Sequence, residues 1–117
     1  MRRPIAVATL FALLVCGGCE TISPAGYFWG DHARTYYAYE KAPSEQTLAA
    51  HVKELERILM ESEERGLKAP PGINAELGYF RSKADGDTDA TAQYEREMQL
   101  YPESSAFLQR LLAQDDQ

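Results

Sequence analysis

Apolar residues recur along most of the chain at the three- and four-residue spacing of amphipathic helices. The clearest stripe follows Ser44 and consists of Leu48, Val52, Leu55 and Leu59. Ser44 itself is a favourable helix N-cap, because its hydroxyl can accept a hydrogen bond from a free backbone N–H of the first turn. No segment alternates apolar and polar residues as a half-buried strand does. The pattern therefore predicts an all-α fold. The predicted helices cover residues 31–40, 44–66, 73–84, 88–100 and 104–113.

Charged residues add two expectations about these helices. Asp31 precedes the first helix, and its carboxylate is the expected side-chain cap of that helix. The long helix carries charges on the side opposite its leucine stripe, and we expect this side to be solvated because charged side chains are seldom buried unpaired. The charges of this side belong to Lys53, Glu54, Arg57, Glu61, Glu64 and Arg65.

Aromatic residues are concentrated between residues 27 and 39. Trp29, Ala33, Tyr36 and Tyr37 fall on one side of the first predicted helix. This side either packs on the rest of the domain or forms an exposed patch that binds a partner, since Tyr and Trp are enriched in protein interfaces. The sequence leaves both interpretations open.

The beginning of the chain has the organisation of a bacterial export signal. Arg2 and Arg3 precede an apolar run that is shorter than the roughly 20 residues needed to span a bilayer. Gly17 and Gly18 then precede Cys19, which indicates a lipoprotein signal with Cys19 as the lipid attachment site, for example for palmitate. An ordinary signal peptide cleaved near Gly18 is the alternative. The predicted division is a lipoprotein signal peptide (1–18), a tether (19–26) and a helical domain (27–117).

Lipidation and charge together predict where the protein works. An acylated cysteine holds a protein to a membrane without a transmembrane helix, and Glu20 after Cys19 favours the outer membrane, facing the periplasm. Loss of Arg2 and Arg3 with the signal would leave 10 basic and 18 acidic groups, a net charge of −8. This charge argues against nucleic acid as a partner and favours solubility or a basic protein partner.

Residues that carry chemistry form no recognisable motif. His32 and His51 are the two histidines of the chain, and with the two cysteines they lack the spacing of a zinc or haem site. We expect both imidazoles to be solvated and Glu76 to be a polar group on or between helices. No catalytic residue, cofactor, metal or small-molecule substrate is predicted, and the protein is expected not to be an enzyme.

One stretch of the chain resembles a tetratricopeptide repeat, which is a helix-turn-helix unit. Gly78, Ala90, Tyr94 and Pro102 stand where that repeat has a small residue, an alanine, an aromatic residue and a proline. Glu97 departs from the pattern, since alanine is common at its position. The resemblance implies a hairpin of two antiparallel helices that approach closely at Gly78 and Ala90, with flanking helices as its neighbours.

Five short motifs occur in a fixed order after the export signal, namely Trp29-Gly30-Asp31, Tyr36-Tyr37, Pro70-Pro71-Gly72, Ala75-Glu76-Leu77-Gly78-Tyr79 and Tyr101-Pro102-Glu103-Ser104. As a set they resemble a family of small bacterial lipoproteins known only as a domain of unknown function. The resemblance implies a short, helical, lipid-anchored protein without an assigned reaction. It also suggests an accessory subunit of an envelope assembly, beside a lipoprotein that resembles the curli secretion channel.

Together these observations favour a non-enzymatic outer-membrane lipoprotein whose helical domain binds another envelope protein. The expected surfaces are the groove between the 73–84 and 88–100 helices and the aromatic segment 27–39. A cell-wall hydrolase or carbohydrate-binding factor is the alternative, and a structural spacer without a specific partner is a third possibility. The candidate partner-binding residues are Trp29, Tyr36, Tyr37, Tyr79 and Tyr94.

Overall fold

A computed structural model describes residues 26–85 and 90–115, and this part of the chain is helical and contains no strand. The all-α prediction is therefore confirmed. The export signal, Cys19 and most of the tether lie outside the described residues. No described helix is both long enough and apolar enough to cross a membrane. The helices are α1 (His32–Lys41), α2 (Glu45–Glu64), α3 (Ile73–Asp85), α4 (Ala90–Leu100) and α5 (Ser105–Asp115), with a 3-10 turn at Pro102–Ser104.

Both ends of α2 follow from local sequence. The Ser44 hydroxyl accepts the Thr47 N–H at 3.1 Å, and the Ser44 N–H donates to the Thr47 hydroxyl at 3.0 Å. This reciprocal cap satisfies two N–H groups, as the N-cap prediction for Ser44 requires. At the other end, Gly66 adopts a φ of 66°, a left-handed conformation that glycine accepts without a steric cost.

The start of α1 differs from the prediction. The side chain of Asp31 does not cap the helix, because its carboxylate accepts a hydrogen bond from Arg34 at 3.0 Å. Glu54, from the middle of α2, instead accepts the Asp31 N–H at 2.7 Å. Gly30 makes room for this contact, since a Cβ at its position would collide with the Glu54 carboxylate. The expectation that Glu54 is solvated was therefore wrong, because Glu54 is only 8% exposed.

The main apolar core lies between α2 and α3. Leu55 and Ile58 of α2 pack there with residues from successive turns of α3. Part of the predicted leucine stripe, including Leu48 and Leu59, lies at the edge of this core and is only partly buried. The buried contributions of α3 come from Ile73, Leu77 and Phe80.

The hairpin of α3 and α4 has the close contact that its resemblance to a repeat implies. A Cβ on Gly78 would lie 3.1 Å from the Ala90 carbonyl oxygen and 3.2 Å from the Tyr94 ring. Tyr94 fills the interface together with Ala90 and with Leu108 of α5. Tyr94 is buried in this contact, so its ring is not exposed on the surface of the described helices.

Candidate functional site

Three polar side chains meet where α1, α2 and α3 come together. His32 is the first residue of α1, His51 lies on α2, and Glu76 lies in the first turn of α3. The Nε2 atom of His32 is 2.7 Å from one Glu76 carboxylate oxygen, and the Nε2 atom of His51 is 2.7 Å from the other. One carboxylate therefore joins two imidazoles from different helices. We refer to His32, His51 and Glu76 as the histidine–glutamate cluster.

Each helix brings its residue into the cluster for a local reason. His51 lies one turn before Leu55 on the buried side of α2, so its imidazole points towards α3 and is fully buried. Glu76 precedes Leu77, and its own N–H donates to the Gly72 carbonyl in the first turn of α3. His32 is held in place because Glu54 binds the preceding residue, Asp31.

Thr35 fixes the second nitrogen of His51. The Thr35 hydroxyl oxygen lies 2.8 Å from the Nδ1 atom of His51 and is itself buried. It also lies 3.2 Å from the carbonyl oxygen of His32 and 3.3 Å from that of Asp31. The hydroxyl can donate to an unprotonated Nδ1, or it can accept from a protonated Nδ1 and donate to one of the two carbonyl oxygens. In either case His51 has a hydrogen-bond partner at each ring nitrogen.

Aromatic rings enclose the cluster on two sides. Tyr36 stacks on the His32 ring with centroids 6.0 Å apart and planes 5° apart. Phe80 meets the His51 ring edge to face, with centroids 4.9 Å apart. The rings reduce access of water and keep the two imidazoles in fixed orientations.

The environment keeps Glu76 ionised. Burial alone would raise the pKa of its carboxyl group, but the hydrogen bonds from His51 and His32 outweigh burial and lower that pKa below its ordinary value. A charged carboxylate with two converging imidazoles can hold protons between its partners, and it can also ligate a metal ion.

The cluster opens into a groove of about 350 Å³ between α1 and α3. The His51 side chain is fully buried, whereas the side chains of His32 and Glu76 retain 23% and 21% exposure. A cationic side chain stands at the rim, with the Lys83 ammonium 4.7 Å from the centre of the Tyr79 ring. The groove is lined by His32, Tyr36, Tyr39, Glu40, Glu76, Tyr79, Phe80 and Lys83.

The predicted partner-binding residues fall into three settings. Tyr36, Tyr37 and Tyr79 are exposed, and Tyr36 and Tyr79 stand on opposite walls of the groove. Trp29 is partly buried and packs against the main core. Tyr94 is buried in the α4–α5 contact, as described above.

Packing on the rest of the domain, one of the two interpretations of the aromatic side of α1, holds for Trp29 but not for Ala33, Tyr36 and Tyr37. Ala33, Tyr36 and Tyr37 are exposed, and α1 turns Thr35 and the partly buried Tyr39 inward. The reason is that Thr35 and its neighbour His32 bind polar partners on α2 and α3, which a helical plot of apolar residues does not reveal.

Sequence reasoning missed the cluster itself. The expectation of solvated histidines was wrong for His51 and, in larger part, for His32. A signal for His51 was present, since it stands four residues before Leu55 and seven before Ile58 on the apolar side of α2. Glu76 was expected on or between helices, and it lies between them.

No curated protein and no solved structure matches this chain. A family model, described as a domain of unknown function (DUF4810), matches residues 27–111, which include α1 to α4 and most of α5. The match covers the histidine–glutamate cluster and both walls of the groove. The chain therefore belongs to the DUF4810 family, a domain of unknown function.

Proposed function

We propose that the protein is a lipid-anchored component of the bacterial cell envelope, whose helical domain binds a protein partner and catalyses no reaction. Gly17, Gly18 and Cys19 at the end of an export signal support the lipid anchor. Glu20 supports the outer membrane as the location, with the helical domain in the periplasm. The family resemblance supports other envelope lipoproteins, including one like the curli secretion channel, as partners.

The observation that carries the binding proposal is the groove between α1 and α3 with exposed tyrosines on both walls. Tyr36 is 41% exposed and Tyr79 is 45% exposed. Tyrosine provides a large apolar ring and a polar hydroxyl at a small cost in side-chain entropy, which is why it is frequent among the residues that dominate binding energy. A groove of this kind accepts an apolar side chain of a partner between the two rings.

Charges at the rim indicate how the partner is oriented. Glu40 and Lys83 both line the groove, so opposite charges flank the aromatic walls. A partner segment with an apolar residue between an acidic and a basic residue complements this arrangement. The predicted net charge of −8 on the mature chain adds a general attraction for basic partners.

Site-specific photo-crosslinking in living cells tests this proposal with the full chain. A photoreactive phenylalanine analogue at position 79 should form a covalent adduct with one envelope protein. The same analogue at position 107 is the matched control, since Phe107 is an exposed aromatic residue of α5 outside the groove. Tyr36→Ala should reduce the adduct at position 79 by about 10-fold, the effect of losing a residue that contributes about 1.4 kcal/mol.

Two results would contradict a protein partner at the groove. Equal adducts from positions 79 and 107 would mean that the groove is not selective. An adduct with cell-wall glycan in place of protein would support the alternative of a carbohydrate-binding factor, because aromatic rings also pack on sugar rings.

A further inference from the structure

We propose that His32, His51 and Glu76 form a binding site for a divalent transition-metal ion of the zinc type. One ligand atom from each residue can be chosen such that all three lie within 4.8 Å of one another. Two imidazole nitrogens and one carboxylate oxygen are a donor set that zinc accepts in proteins, usually with a fourth ligand from solvent. This inference is independent of the proposed partner.

The present geometry needs little change to admit an ion. Both Nε2 atoms already point at the Glu76 carboxylate, each 2.7 Å from one of its oxygens. Zinc bonds of about 2.0–2.2 Å in a tetrahedral site separate neighbouring ligand atoms by roughly 3.3–3.6 Å. The two 2.7 Å pairs would therefore widen by less than about 1 Å, and ligand atoms up to 4.8 Å apart would close by at most about 1.5 Å.

Thr35 supplies the support that a metal-bound histidine requires. A histidine that gives Nε2 to a metal carries its proton on Nδ1, and that N–H needs an acceptor. The Thr35 hydroxyl oxygen lies 2.8 Å from the His51 Nδ1 atom and can accept a hydrogen bond from this N–H. Its own proton can then go to the carbonyl oxygen of His32 or of Asp31, which lie 3.2 and 3.3 Å away.

The groove determines where the fourth ligand comes from. His51 is the fully buried member of the cluster, whereas His32 and Glu76 both line the groove. A bound ion would thus have one side open to the groove, where water or a donor atom of another molecule completes the coordination. The Glu76 charge offsets part of the charge of the ion.

Metal titration of the full chain tests the site. The protein is purified from membranes in detergent, stripped with a chelator and titrated calorimetrically with Zn²⁺; Co²⁺ then reports coordination number by its visible absorption. We expect one ion per chain and the strong absorption of four-coordinate Co²⁺. His32→Ala and Glu76→Gln should weaken binding by at least about 100-fold, and Thr35→Val by about 10- to 100-fold.

A control and a second measurement keep the test decisive. Glu103→Gln, which changes an exposed acidic residue outside the cluster, should leave affinity unchanged. Zinc X-ray absorption of the unaltered protein should show two imidazole ligands, and this measurement does not depend on whether a variant folds. The absence of binding, equal affinity of wild type and His32→Ala, or a shell of oxygen atoms alone would overturn the proposal.

Discussion

The buried carboxylate of Glu54 connects two helices by hydrogen bonds. Its two oxygens accept hydrogen bonds from Arg57 at 2.7 and 2.9 Å, and one of them also accepts the Asp31 N–H. The start of α1, and with it His32, is thereby tied to the middle of α2. Burial alone would raise the pKa of Glu54, but the hydrogen bonds from Arg57 and Asp31 hold that pKa below its ordinary value.

Replacing Glu54 should therefore have an effect that depends on pH. We expect Glu54→Gln to lower the free energy of unfolding by about 1–3 kcal/mol at neutral pH, because a charge-assisted hydrogen bond is lost. Since the pKa is lower in the folded protein, this contribution is complete above the ordinary carboxyl value of 4.5 and is lost as pH falls below it. Urea unfolding of both proteins over a range of pH measures the difference.

Glu61→Gln is the control, because Glu61 of α2 pairs with Arg65, the residue that follows the helix, at the surface of the protein. Such a pair contributes only about 0.3–0.5 kcal/mol. If the free energies of unfolding of wild type and Glu54→Gln differed by the same amount at neutral and acidic pH, the role assigned to the Glu54 charge would be contradicted.

At the residue scale, the setting of a polar side chain was predictable when its hydrogen-bond partner is close in sequence and was missed when the partner is distant. Ser44 was assigned correctly because its cap partner Thr47 is three residues away. Glu54 was not, because its partner Asp31 lies 23 residues earlier. His51 was also missed, because its partner Glu76 lies 25 residues later. Burial of a polar group depends on such a partner. Apolar spacing can place His51 on the buried side of α2, but it does not identify Glu76 as the partner.

At the element scale, the helices themselves were predictable. The described bounds of α1 to α5 agree with the predicted ones to within about two residues, because spacing, Ser44, Gly66 and the prolines mark starts and ends locally. The side of α1 that faces inward was not predictable, since it depends on hydrogen bonds to α2 and α3. The groove is a result of that orientation, because it lies between α1 and α3.

The α3–α4 contact gives a prediction at this scale. In a free helix Gly78→Ala would add about 1 kcal/mol of stability through helix propensity. Here the new methyl group would lie 3.1 Å from the Ala90 carbonyl oxygen, which is backbone and cannot turn away. We expect a net loss of about 1–2 kcal/mol, measured by thermal unfolding.

Ala84→Gly lies at the exposed end of α3 and measures the difference in helix propensity between alanine and glycine in the same helix. It should cost about 1 kcal/mol or less. A gain in stability for Gly78→Ala would show that the hairpin is looser than described and that Gly78 is not required for packing.

At the scale of the whole molecule, the helices form an array in which the principal contacts join sequential neighbours. The two apolar clusters are separate, one between α2 and α3 and the other between α4 and α5. Ala75 of α3 packs against the second cluster, so α3 links the two. The stability of such an array is close to a sum of neighbouring contacts.

The proposed anchor gives a prediction for the whole protein. With a clickable palmitate analogue in the growth medium, wild type should incorporate label and separate with outer membranes on a density gradient. Cys19→Ala should abolish labelling, because acylation requires the sulfur atom. Cys16→Ala is the matched control and should be labelled like wild type. Labelling of Cys19→Ala, or its loss in Cys16→Ala alone, would contradict attachment at Cys19.

The polar attachment of α1 has a consequence for how the molecule moves. Thr35 is the one buried residue of α1. The helix is joined to the others by polar contacts of Asp31, His32 and Thr35 and by one aromatic side chain, Tyr39, which packs edge to face on Phe80. The α2–α3 contact, in contrast, is built from closely packed apolar side chains. Local unfolding begins where apolar burial is least. Among α1, α2 and α3, we therefore expect α1 to detach first. Its detachment would expose the imidazole of His51 while the α2–α3 core stays folded.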